Sequence, residues 1–313
     1  MYCSGVTVVE IHRIMPRNDC TRRPDQHLQA PPSLYTRSFV LHPALNRPNL
    51  GLTRNADNPA YRRPRRIDFS LIRSMRVQIV ELWRYPVKSL QGERLDSVAM
   101  TTDGLAGDRR FAIYDVQSGF GLTARRDPEL LFASARLRDD GTVEITLPDG
   151  SVAGADDALS EWLGRPVTLR SAATGAARRY ENVVDFEHET TSDWAPFEGA
   201  EGAFHDNPAA RVSLVSTATV GSWDPRRFRS NVLLDGEGED TLVGSRVTLG
   251  EATLDVDLRI KRCVMTTRAQ AGGIARDLDV LRTIARERDA RLAVGALVVD
   301  PGTVRVGDTL RAG

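Results

Sequence analysis

From residue 75 onward, apolar and polar positions alternate with a period of two, the spacing at which successive side chains reach opposite faces of a strand. The pattern predicts strands over 76–84, 95–101, 110–115, 131–138, 142–147 and 166–170. A second group is expected over 211–215, 228–234, 245–249, 252–257, 259–265, 292–299 and 304–306. Asp103-Gly104, Asp140-Gly141 and Asp149-Gly150 read as turns between strands of the first group. Helical spacing is rarer. Asp156 and Asp157 open a short helix over 156–163 that ends at Gly164, and Ser216 or Thr217 caps another through 223. Ile274, Leu278, Leu281 and Ile284 share one face of a helix over 277–289. Residues 171–205 mix glycine, alanine and acidic residues and read as an irregular connector. The expected fold is mainly β: a small N-terminal β-barrel domain over 75–172 and a second β-barrel with a few helices over 173–313.

Residues 1–74 break this pattern. They lack periodic apolar segments, and they hold eight of the sixteen prolines and none of the four tryptophans. Such a stretch does not bury enough surface to offset its chain entropy. It reads as a disordered extension or as a start assigned too far upstream, since Met75 opens a strand pattern at once. A secretory signal is excluded because no apolar core follows a basic start, and the prolines and acidic residues argue against a transit peptide.

Charge and cysteine usage narrow the function. The formal net charge of zero hides a split: twelve arginines against five acidic residues before position 75 leave the rest of the chain acidic. That balance argues against nucleic acid as a partner. No stretch approaches the ~20 apolar residues of a membrane helix, so no membrane partner is expected. Of Cys3, Cys20 and Cys263, one lies in the part expected to fold. This suits a reducing compartment, the cytoplasm, and excludes a four-cysteine zinc or iron–sulfur site. His12, His27, His42, His188 and His205 show no ligand spacing. Forty arginines accompany only two lysines, Lys88 and Lys261. A lysine kept in such a chain suggests a need for a compact point charge rather than a planar fork.

Several segments bear chemistry. Tyr85-Pro86-Val87-Lys88-Ser89 sets an ammonium and a hydroxyl at one turn, a workable anion clamp; a solvated strand end would use the same residues. In Gly107-Asp108-Arg109-Arg110-Phe111, Arg109 is placed to face inward and Arg110 solvent, with surface ion pairs the plain alternative. Leu122-Thr123-Ala124-Arg125 adds another strand-end arginine. Val215-Ser216-Thr217 ends a strand and starts a helix, as a phosphate site or a simple N-cap. Arg229 and Asn231 share a strand face. Lys261 and Cys263 share another, and nearby cations favour a thiolate, which ligates metals. A buried apolar cysteine explains Cys263 equally well on this segment alone.

Taken in order, YPVKSL (85–90), GDRRFAIYD (107–115), LTARRDP (122–128), LVSTA (214–218), FRSNVLLDG (228–236) and RCVMTT (262–267) resemble the MOSC family, named for the C-terminal domain of molybdenum-cofactor sulfurase. Within it the chain is most similar to the amidoxime-reducing components and their bacterial relatives, over about 75–313. The resemblance implies a MOSC N-terminal β-barrel domain followed by a MOSC domain that binds molybdenum cofactor (molybdopterin). It maps the metal ligand, and with it the catalytic centre, onto Cys263. Cofactor contacts map onto Lys88, Ser89, Arg109, Ser216, Thr217, Arg229 and Asn231. It also implies an oxidoreductase that acts on small N-hydroxylated molecules. Electrons would come from an external protein of ferredoxin, flavodoxin or reductase type, because no flavin or iron–sulfur motif is present. The rival reading is a sulfur carrier that forms a persulfide on Cys263. Neither Lys88 nor Lys261 has a context suggesting a Schiff base, which argues against pyridoxal phosphate. The sequence departs from the family at 268–273, at Ser230 where proline is common, and at Lys261 where many relatives have a small residue.

Overall fold

The alternating segments assemble into one eight-stranded sheet and several short hairpins in a computed structural model that describes residues 77–312 apart from 176, 186, 187 and 190. The expectations for 1–74 and Met75 lie outside the described residues. The sheet runs Leu310–Ala312, Arg246–Leu249, Ala252–Lys261, Arg291–Asp300, Val212–Ser216, Val232–Leu234, Ile79–Arg84, Glu93–Leu95. Its pairings are antiparallel except where Leu214 faces Val232, between two parallel strands. The sheet curls on itself. Gln78 bridges Thr309, and the Leu310 N–H donates to the Val77 carbonyl at 2.8 Å, tying the first strand to the segment entering the far edge.

Period-two patterning fills the interior. Ile79, Leu82, Leu214, Leu254, Val256 and Val294 belong to one buried cluster within the curl. On the outer face, Val215, Leu233 and Leu292 pack with Val280 and Ile284 of the helix Asp279–Arg288. The N-terminal part has its own core of Leu122, Leu130, Leu131, Ile145 and Leu159. Phe111–Asp115 pairs there with Val167–Ser171, and Ser134–Leu137 with Val143–Thr146. The helix Asp156–Leu163 lies where expected and ends at Gly164, whose left-handed φ of 66° lets its N–H reach the Glu161 carbonyl. Among the described residues no helix is long and apolar enough to cross a membrane.

Four expectations need correction. The connector 171–205 contains a hairpin of Arg179–Val183 with Trp194–Glu198. Interspersed charges and Pro196 conceal it, and it is held instead by aromatic packing of Tyr180 on Phe197 at 5.6 Å. The predicted strand 228–234 shrinks to Val232–Leu234. Asp224 accepts a hydrogen bond from the Arg226 N–H, so Pro225–Phe228 form a 3-10 turn that ends at Arg229 with φ 50°. The segments 252–257 and 259–265 form one strand, Ala252–Lys261, beyond which Cys263 begins the turn Val264–Thr267. Residues 131–138 open as a 3-10 turn, Pro128–Phe132, set by the proline at its start.

Candidate functional site

These irregular connections meet around a cavity of about 240 Å³. Six of its lining residues are cations: Lys88, Arg109, Arg125, Arg229, Lys261 and Arg262. Asp206 is the one carboxylate on the lining, and Cys263 the one thiol. Ser89 and Asn231 also line it. The two sequence-paired sets, Arg229 with Asn231 and Lys261 with Cys263, converge here, but through turns rather than shared strand faces.

Backbone strain concentrates at this place. Six non-glycine residues among those described have positive φ, and three of them, Ser89 (71°), Arg109 (49°) and Arg229 (50°), line the cavity. Each such residue costs roughly 1–2 kcal/mol, so local sterics did not choose this conformation. The surroundings over-determine it. The Arg109 N–H donates to the Tyr85 carbonyl at 2.8 Å, and its own carbonyl accepts from the Phe204 N–H at 2.7 Å. The Ser89 hydroxyl accepts from the Ala124 N–H at 3.0 Å, which leaves its own proton free to donate.

The cations fall into two kinds. Lys88 and Arg125 both pair with Asp206, and Lys88 also donates to the Phe204 carbonyl at 3.1 Å. Lys88 sits over the Tyr180 ring at 4.3 Å, an approach made possible because Gly121 has no side chain against that ring. Burial pulls the Lys88 ammonium below its usual range, with Asp206 opposing. Burial would raise the Asp206 carboxyl, yet Arg125 and Lys88 outweigh it and hold it well below the usual range. The Asp206 side chain is 42% exposed, so water screens this bridge at the cavity mouth. Arg109 pairs with buried Asp108, which in turn accepts from the Tyr85 N–H at 2.7 Å.

Arg229 and Arg262 have no carboxylate. Arg229 stacks on Tyr85 at 4.2 Å and donates to the Leu90 carbonyl; Arg262 donates to the carbonyls of Leu292 at 2.7 Å and Phe228 at 2.9 Å. Burial lowers both guanidinium groups to about 10 and raises the Tyr85 phenol to about 12. One terminal nitrogen of each arginine is buried with no hydrogen-bond partner among the described residues, as is Nε2 of His205. Burial, then the Arg109 charge, pushes His205 down to about 3, so its ring is neutral. A buried cation without an anion is costly. Two of them beside orphaned donors suit an anionic, hydrogen-bond-rich ligand, and Cys263 adds a soft ligand atom. These features fit a phosphorylated pterin carrying a thiophilic metal.

Not every candidate reaches the cavity. Ser216 donates its hydroxyl to Glu239 at 2.6 Å and accepts from the Thr219 N–H, while Thr217 is exposed; neither lines the cavity. From that strand it is Ser213 that does. Asn231 accepts from its N–H at 3.1 Å and its hydroxyl at 3.0 Å, and donates to the Trp83 carbonyl at 3.2 Å. Asn231 is therefore largely engaged in stitching three strands together. His205, Asp206 and Arg262 went unread as site residues. Only the adjacency of Arg262 to Cys263 signalled one of them in sequence.

Comparison with known proteins follows this geometry. Residues 76–187 match the family described as MOSC N-terminal beta barrel domain, and residues 198–311 the MOSC domain. A molybdenum cofactor sulfurase of Drosophila grimshawi is 27% identical over 72% of this chain, which spans about a third (32%) of that relative. Mitochondrial amidoxime-reducing component 1 of Mus musculus is 24% identical over 74% of this chain and 80% of its own length. The crystal structure of the YUAD protein from Bacillus subtilis aligns with 75% of this chain and 94% of its own, at 12% identity and a TM-score of 0.35, too low to bear on the site. Two family matches in tandem span nearly all the described residues: this chain belongs to the MOSC family, a MOSC N-terminal β-barrel domain followed by a MOSC domain.

Proposed function

We propose that this chain holds a molybdenum cofactor and reduces N-hydroxylated compounds with electrons from a separate protein. The observation that carries the reading is the meeting of two guanidinium groups without a carboxylate among the described residues, each with a buried unpartnered nitrogen, with Cys263 in one cavity. Lys88, Ser89 and Arg109 would hold the phosphate tail. The free nitrogens of Arg229 and Arg262, with His205 Nε2, would meet the polar edge of the pterin. Cys263 would be the thiolate ligand of the metal, with Arg125 beside it. No cofactor contact is assigned to Ser216 or Thr217; Ser213 and Asn231 form the floor. When bound, the metal centre supplies two-electron reduction: the N–O bond breaks, two electrons and two protons are taken up, and the oxygen leaves as water. The amidoxime-reducing relative, matched over most of its length, supports this choice.

The similarity to a cofactor sulfurase favours a second reading, in which Cys263 carries sulfur as a persulfide. One preparation separates the two. The full chain is purified from cells that make the cofactor and assayed for molybdenum, pterin and persulfide. The reductase reading expects stoichiometric molybdenum that is lost in Cys263→Ala. Persulfide on Cys263 without metal would select the carrier.

A further inference from the structure

We propose that Lys261 selects the substrate by pairing with a carboxylate on it, so that the natural N-hydroxylated compound is an anion; this rests on the reductase reading above. Matching each cation in the cavity with its partner leaves one over. Asp206 takes Lys88 and Arg125, and Asp108 takes Arg109. Arg229 is buried and Arg262 half-buried, and both are anchored to backbone carbonyls. Lys261 is different. It is exposed, lines the same cavity, and has neither hydrogen bond nor ion pair from its side chain among the described residues.

The neighbourhood leaves that charge unanswered. Of the lining residues, its chain neighbours are apolar Ile260 and the cation Arg262, and Met265, Asn207 and Ala210 carry no charge. Its cross-strand neighbour is another cation, Arg291, which takes Asp289 as its own partner. Residue type points the same way. In a chain with forty arginines, this position is one of two lysines. An ammonium on a flexible stem is strongly hydrated and releases a partner readily, whereas an arginine fork suits a permanent one. The cavity thus has paired or anchored cations for a resident group and one unpaired charge for a ligand that comes and goes.

The test uses the full chain loaded with cofactor, wild type against Lys261→Ser and Lys261→Arg. Calorimetry measures binding of benzamidoxime and of its 4-carboxy derivative, with molybdenum content assayed alongside. A half-exposed ion pair predicts that K261S binds the carboxylated compound about three- to tenfold more weakly, with K261R restoring part of the loss. Benzamidoxime binding and metal content stay as in wild type. Equal weakening of both compounds, no weakening of either, or loss of molybdenum would each overturn the proposal. Benzoate and benzamide form a second pair without an N–O bond. If wild type binds neither amidoxime but binds benzoate in a way that Lys261→Ser weakens, the reductase reading fails while the preference for an anion stands.

Discussion

Two regions of this protein bury charge, and they settle it differently. On the outer face of the sheet, Glu239 and Asp240 meet Arg259 and Arg288. Asp240 lies 2.7 Å from Arg288 and 3.2 Å from Arg259, Glu239 lies 3.8 Å from Arg288, and Ser216 and Thr219 donate to Glu239. Two carboxylates balance two guanidinium groups. In the cavity, six cations face Asp206 and, behind Arg109, Asp108. The first cluster is balanced in charge without a ligand and serves the fold, although Glu239 Oε1, Asp240 Oδ1 and Arg259 Nε are buried without a hydrogen-bond partner among the described residues. The second is left positive, and its backbone is strained at three residues that line it. What distinguishes a binding site here is the absence of compensation, since burial of charge is common to both.

The largest expected effect concerns acid. His205 titrates near 6.5 when unfolded and near 3 when folded. Between those values the unfolded chain binds a proton that the folded chain does not, so stability rises with pH across that window. The contribution is fully present above about pH 6.5, is lost as pH falls towards 3, and amounts to roughly 4 kcal/mol. Urea midpoints from pH 4.5 to 7.5 should show a steeper acid loss in wild type than in His205→Asn; parallel curves would sink this.

Next come paired substitutions of opposite sign. Glu239→Ala strips the balanced cluster of a carboxylate that is 3% exposed and should destabilise the protein by about 3 kcal/mol. Arg229→Met removes an uncompensated cation and should leave the cofactor-free protein as stable or about 1 kcal/mol more so, while molybdenum content falls. Chemical denaturation checks both, and like signs would erase the contrast between the regions. The smallest effect is at the mouth. Asp206→Asn should change stability by about 1 kcal/mol or less, because its bridge is screened, and tighten sulfate binding by calorimetry a few-fold.

How far the sequence disclosed this site depends on what each residue needed. Lys88, Ser89, Arg109, Arg229, Asn231 and Cys263 sit in motifs, and all six line the cavity. The strand alternation around them was also readable, because a sheet with one buried face imposes it. The route by which Arg229 arrives was not. Asp224 and Pro225 convert an apparent strand into a turn, and a left-handed arginine has no sequence signature. Ser216 and Thr217 stand out at the strand end, yet it is Ser213, bonded to Asn231, that lines the cavity. His205 and Asp206 follow a segment without periodicity, so only tertiary contact reveals them. The hairpin near them escaped for the same reason: its strands are held by arginine–aromatic stacking, as with Arg125 over Phe197 at 5.3 Å and Arg126 over Trp194 at 5.1 Å, which leaves no alternation to read.

The bridge between Gln78 and Thr309 has a consequence for biosynthesis. Ile79–Arg84 finds its partner Val232–Leu234 about 150 residues later, and the curl closes only against Thr309, about 230 residues after Gln78. Contacts this distant in sequence form slowly and late. Until Val232–Leu234 and the segment around Thr309 have been synthesised, the curl is open and the first strand unanchored. Loading of any group into the cavity therefore waits until the strands that close the curl, through Thr309, have been made.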